Sequence, residues 1–114
     1  MAGLLKRLAG PAYLGSSAAN VYNPSANTYA RVLHMHIVNT DSGARTCTLY
    51  IGATGGSTGG TEYYKTWALA AAGSAGSVLD VYPQLRLDAA DFLTGLADVA
   101  NKVVITVEGE LYAA

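Results

Sequence analysis

Apolar and polar residues alternate with a period of two along most of this chain, and that alternation predicts strands. It is clearest over residues 102–111. There Val103, Ile105, Val107 and Leu111 share one face, while Lys102, Thr106, Glu108 and Glu110 take the other. Residues 29–39 and 46–52 form a second pair. In the first, Leu33, Met35 and Ile37 oppose Val32, His34, His36 and Val38; in the second, Cys47, Leu49 and Ile51 oppose Thr46, Thr48 and Tyr50. The turn-rich connector Thr40-Asp41-Ser42-Gly43-Ala44 has the length of a hairpin loop, so the two strands are expected to pair with each other. Further strands are expected over 77–82, stopped by Pro83, over 91–97, and in short pieces at 12–15 and 20–23. Residues 62–72 mix helix formers with a Tyr63-Tyr64-Thr66-Trp67 set that favours strand, and the strand reading fits its surroundings better. The glycine-rich stretch 52–61 reads as a loop.

About eight strands with turn signals at short intervals predict an all-β fold, an antiparallel β-sandwich of jelly-roll-like or immunoglobulin-like form. The domain reading is an amino-terminal arm over residues 1–11, followed by one sandwich domain over 12–114. At 114 residues the chain has room for one core.

Composition sharpens this picture. Apolar residues make up 51% of the chain but charged residues only 13%, against about 25% in ordinary globular domains. Exposed positions therefore fall largely to Gly, Ser, Thr, Ala, Asn and Tyr, a surface suited to burial between subunits. A net charge of −1 with scattered basic residues offers no footprint for nucleic acid. Met1 to Gly10, with Lys6 and Arg7 between Leu4-Leu5 and Leu8, reads as neither signal peptide nor membrane span. Its leucines Leu4, Leu5 and Leu8 are expected to dock onto a neighbouring subunit.

Three stretches, RVLHMHIVNTDSGARTCTLYIG, SVLDVYPQLRLDAADFLTGLAD and NKVVITVEGELY, together resemble a group of small β-sandwich structural proteins of tailed bacteriophage virions. Members typically carry an early Pro-Ala-x-Thr turn, an Asn-Thr-x-Ser-Gly hairpin, a Leu-x-x-Gly-Asp corner and a closing Val-x-Val-x-Gly strand. The similarity covers most of residues 12–112. Two positions depart from the pattern: the early turn reads Pro24-Ser25-Ala26-Asn27-Thr28, and Ala90 stands where the corner would have glycine. The resemblance implies a virion component.

The residues that could carry chemistry are few. His34 and His36 at i, i+2 point the same way, but a metal site needs further ligands. The chain has no third histidine, and Glu62, Glu108 and Glu110 are expected to lie away from the pair. No metal and no cofactor is therefore expected, and the pair reads as a solvated or subunit-facing one. Cys47 alternates with Leu49 and Ile51 and reads as a buried small hydrophobe, not a nucleophile. The 52–60 loop lacks the Gly-Lys-Ser/Thr ending of a phosphate cradle. Asp88, Asp91 and Asp98 do not match a calcium loop and are expected to cap turns. Tyr63, Tyr64, Trp67 and Tyr82 are read as an aromatic cluster, divided between core and interface roles.

These readings predict a non-enzymatic virion structural protein, a capsid decoration or cementing subunit that bridges shell proteins. Its expected partners are major capsid or tail proteins and copies of itself, in a homo-oligomer such as a trimer. The alternative is a tail- or fibre-associated module that binds host-surface carbohydrate through Tyr63, Tyr64 and Trp67.

Overall fold

The computed structural model describes residues 4–52 and 63–113. Those residues form nine strands: β1 (Leu4–Tyr13), β2 (Ala19–Tyr22), β3 (Thr28–Asn39), β4 (Arg45–Gly52), β5 (Tyr63–Leu69), β6 (Val78–Val81), β7 (Leu85–Asp88), β8 (Phe92–Ala97) and β9 (Val103–Ala113). The larger sheet has the order β1-β9-β3-β6, with β7 also on β3; the smaller has the order β2-β8-β4-β5. Every pairing is antiparallel. The chain is thus the expected all-β sandwich. Among the described residues, no helix is long and apolar enough to cross a membrane.

The core lies between the sheets. Val32, Met35, Ile37, Leu87, Val103, Ile105 and Val107 of the larger sheet meet Cys47, Leu49, Leu69, Leu93 and Ala97 of the smaller, all but closed to solvent. The alternation read along β9 and β4 holds: Val103, Ile105 and Val107, like Cys47 and Leu49, face inward. On β3 it holds only in part. A register shift between Val32 and His34 inserts an extra residue, Leu33. The phase changes there, so that Ala30 and Val32 are buried on one side of the bulge and Met35 and Ile37 on the other. Val32 therefore belongs to the core and not to the face of the histidines.

The expected hairpin between β3 and β4 is not formed. β3 pairs with β9, β6 and β7, and β4 with β5 and β8, so residues 40–44 arch from one sheet to the other. The physical reason is that both strands have a fully apolar face. An arch buries those faces against each other across the sandwich, whereas a hairpin sets them side by side. Buried Asn39 and the Arg45 guanidinium brace the arch; Arg45 Nε donates to Asp41 Oδ2 at 2.7 Å and Nη1 to Asp98 Oδ2 at 3.3 Å. The Arg45 hydrogen bond holds the Asp41 carboxyl below its ordinary value.

The arm is likewise corrected. Residues 4–11 belong to β1, an edge strand paired with β9 from Leu4↔Leu111 to Tyr13↔Val104. Two register shifts, between Arg7 and Ala9 and between Ala9 and Ala12, break its alternation and hide it from a period-two reading. Pro11 is tolerated because β1 is an edge. The remaining differences are local. Residues 63–69 are strand, as expected, and β7 is an additional strand beyond those expected. Positive φ among non-glycine residues occurs at Asn27, Gln84 and Asn101, so Ala90 is not strained at its corner. The glycine-rich loop and Glu62 lie within 53–62, outside the described residues, apart from Gly52 at the end of β4.

Candidate functional site

β3 runs through the middle of the larger sheet. Along one side it pairs with β9; along the other it pairs first with β7 (Tyr29–Val32) and then with β6 (Met35–Val38). β7 and β6 lie end to end, parted by Pro83, which has no N–H for a ladder, and by Gln84 at φ 53°. That gap falls beside the β3 bulge, where His34 turns outward.

Antiparallel register then places the outward side chains of four strands, β3, β9, β7 and β6, in one polar row. Tyr29 stacks on Tyr112 of β9, with ring centroids 4.9 Å apart and planes 6° from parallel, and Arg86 of β7 covers the Tyr29 ring at 4.0 Å. Arg31 Nη2 donates to Gln84 Oε1 at 2.8 Å, and Nη1 stands 3.9 Å from Glu110 Oε1. Next come the histidines. His36 lies directly across from Asp80 of β6, and His34 across from Glu108 of β9. Asp80 Oδ1 accepts from His36 Nδ1 at 2.7 Å and from His34 Nε2 at 2.8 Å; Glu108 Oε1 accepts from His34 Nδ1 at 2.9 Å. Tyr82 stacks on the His34 ring with centroids 5.0 Å apart.

The carboxylates set the electrostatics of this group. Hydrogen bonds to Glu108 and then Asp80 hold the His34 imidazole above its ordinary pKa, against partial burial. Both ring nitrogens donate to carboxylate oxygens, the arrangement of an imidazolium. Asp80 is held below the ordinary carboxyl value by its hydrogen bonds from His36 and then His34.

Sequence reasoning missed Asp80 and misplaced Glu108. Asp80 is the one acid in the otherwise apolar strand Val78–Val81, a detectable anomaly. Its position opposite His36 depends on a pairing between strands more than forty residues apart, which no local pattern reveals. Glu108 was expected on a distant strand, but β9 is the immediate neighbour of β3.

The other expected contact residues disperse. Leu5 is exposed (76%), while Leu8 packs against the core. The side chains of Leu4 and Tyr63 lie outside the described residues, although both positions belong to strands. Tyr64 and Trp67 on β5 are half-buried against the core and meet edge to face at 6.0 Å. Tyr82 is exposed (68%) and sits on the opposite sheet beside His34, so the four aromatics are not one cluster. Of the aspartates, Asp91 Oδ2 accepts from the Asp88 amide at 2.9 Å and Asp98 Oδ1 from the Thr46 amide at 3.1 Å. Both bind backbone at strand ends.

Cys47 is fully buried, and burial pushes its thiol up to about 12. The thiolate is the reactive form, so folded protein at neutral pH is expected to resist a thiol reagent such as DTNB and to label fully only in denaturant. Labelling of the folded chain as fast as a free thiol would contradict this burial.

No family model matches the chain, and no curated protein matches it. A solved structure of Bacillus endospore appendages, described as a novel family of disulfide-linked pili, is similar with a TM-score of 0.53. The identity is 19%, over 97% of this chain and 88% of that one. A structure of infectious bursal disease virus, Gt strain, overlaps with a TM-score of 0.29 at 12% identity, over 96% of this chain and 29% of that one. The pilus likeness, at that identity, is one of fold.

Proposed function

We propose that this chain is a non-catalytic structural subunit that works by assembling in many copies. One observation carries the reading. Among the described residues, large apolar side chains are left in solvent on both edge strands of a single sheet. Leu5 (76% exposed) and Tyr13 (56%) are on edge strand β1; Val78 (48%) is on edge strand β6, and Tyr82 (68%) follows it. Each of these strands pairs with one neighbour among the described strands. Unpaired strand edges are templates for pairing with another chain; Lys6, Arg7, Pro11 and two register shifts blunt the middle of β1, which leaves its Leu5 end and the short β6 edge for such pairing. Two different edges meeting head to tail form a heterologous contact, which closes into a ring or extends as a filament. The low charge content supports the same reading.

The finer proposal is a virion component of a tailed phage, a decoration subunit on its capsid, and it is supported by the three stretches quoted above. Likeness in fold to Bacillus endospore appendages, a family of disulfide-linked pili, supports the coarser idea of a multi-copy structural assembly. Buried Cys47 is the lone cysteine of this sequence, so the disulfide linkage of those pili is not carried over to this chain. The carbohydrate-binding alternative rests on Tyr63, Tyr64 and Trp67, of which Tyr64 and Trp67 are half-buried against the core and the Tyr63 side chain lies outside the described residues.

Sedimentation velocity across a wide concentration range, with negative-stain microscopy, tests the assembly reading. Concentration-dependent rings or filaments are expected, weakened at least severalfold by Leu5→Lys or Val78→Lys. A monodisperse monomer at every concentration, or assembly indifferent to both variants, would overturn it. For the finer proposal, densitometry of purified phage particles is expected to show a copy number comparable with that of the shell protein.

A further inference from the structure

We propose that His34, His36 and Asp80 form a binding site for one divalent transition-metal ion of the imidazole-preferring class, Zn²⁺, Co²⁺, Ni²⁺ or Cu²⁺. Two histidines need a third protein ligand to hold such an ion, and the register of β6 supplies it in Asp80. His34 Nε2, His36 Nδ1 and one Asp80 carboxylate oxygen all lie within 4.8 Å of one another. The two nitrogens already stand 2.8 and 2.7 Å from the same Asp80 oxygen. Nitrogen and oxygen ligands bind such ions at about 2.0–2.2 Å, which sets neighbouring ligand atoms roughly 3 Å apart around the ion. Small side-chain rotations therefore admit the ion between groups that now hydrogen-bond.

A second feature points the same way. A metal-binding histidine characteristically donates its other ring nitrogen to a carboxylate, which fixes the ring and its tautomer. His34 does this through Nδ1–H to Glu108 Oε1 at 2.9 Å, leaving Nε2 aimed at Asp80. Stacking of Tyr82 at 5.0 Å further restrains the ring. The ligands stand on paired strands, with His34 and His36 on one strand and Asp80 across from His36, so their spacing is set by the sheet and not by a loop.

The donor set also selects the ion. Two imidazoles and one carboxylate suit borderline ions, whereas Ca²⁺ takes six to eight oxygens, about one of which is offered here. Side-chain exposures of 25% for His34, 41% for His36 and 44% for Asp80 leave coordination positions open to water. On binding, His34 releases its Nε2 proton to solvent and keeps Nδ1–H on Glu108, while His36 binds through Nδ1 in the tautomer that carries its ring proton on Nε2; the two nitrogen lone pairs so presented form the metal bonds.

The experiment is titration of the chelator-stripped full chain with Zn²⁺ alone, followed by calorimetry, and with Co²⁺, followed by visible absorption. One equivalent is expected to bind with a micromolar Kd. His36→Gln and Asp80→Asn are expected to weaken binding at least tenfold, and Glu108→Gln, which leaves the three ligands in place, about tenfold. Circular dichroism checks that each variant is folded. Independently of any variant, substoichiometric Cu²⁺ is expected to broaden the His34 and His36 ring resonances of the unaltered protein before any others. Absence of saturable one-to-one binding, unchanged affinity in His36→Gln and Asp80→Asn, or broadening that begins elsewhere would overturn the site.

Discussion

Replacing Asn39 by leucine is expected to lower the unfolding free energy by about 3 kcal/mol, although the two side chains share the same branching and number of heavy atoms. Asn39 is 1% exposed at the end of β3. Its Nδ2 donates to the Gly43 carbonyl at 2.9 Å and to the Ala70 carbonyl at 2.9 Å, and its Oδ1 accepts from the Asp41 amide at 2.9 Å. One amide thus ties the end of a larger-sheet strand to the arch and to the chain leaving β5 in the smaller sheet. Leucine can replace the packing but none of the three bonds, each worth about 1 kcal/mol. Aspartate keeps the acceptor and loses both donors, so Asn39→Asp is expected to fall short of wild type as well. Urea denaturation checks the magnitude; the matching loss in Tm is on the order of 12 °C for a domain of this size. A change below about 1 kcal/mol would mean that water readily replaces the side chain at the arch.

Gly109→Ala is the second large effect expected, again about 3 kcal/mol, by the opposite route of adding one atom. Gly109 is buried in β9, paired with Val32 of β3 on one side and Lys6 of β1 on the other. A Cβ there would collide with the Arg31 carbonyl oxygen and come within 3.0 Å of its carbon and 3.1 Å of Leu8 Cδ1. Leu8 can rotate away. A backbone carbonyl cannot, so relief requires β3 and β9 to separate at the bulge. Chemical denaturation measures the loss, and faster amide exchange at 30–34 and 107–110 is expected to localise it. A stability loss under about 1 kcal/mol, with exchange unchanged, would show that the bulge yields at little cost.

Both positions show where local pattern stopped being informative. Asn39 was legible as the end of a strand and Gly43 as part of the turn that follows it, and that much is true. Whether the turn closes a hairpin or spans two sheets depends on which strands flank it, and those are β9 and β8, far along the chain. Gly109 read as an ordinary strand position because the reason for its lack of a side chain is the approach of another strand's backbone. β1 went unread as a strand because two register shifts and Pro11 interrupt its alternation. The candidate site divides in the same way: the His34–His36 pair stood out as a same-face pair, while Asp80 and Glu108 did not.

From residues alone came the all-β class, the positions of most strands, the inward faces of β4 and β9, the burial of Cys47 and the scarcity of charge. The scarcity of charge is composition; the others follow from backbone geometry that repeats every two residues, so neighbours in sequence carry the information. Only the tertiary structure decided the sheet orders, the arch, the incorporation of residues 4–13 and the gathering of two imidazoles around Asp80. Those depend on hydrogen-bonded register between segments distant in sequence, set by burying every apolar face at once rather than by any one segment's preference.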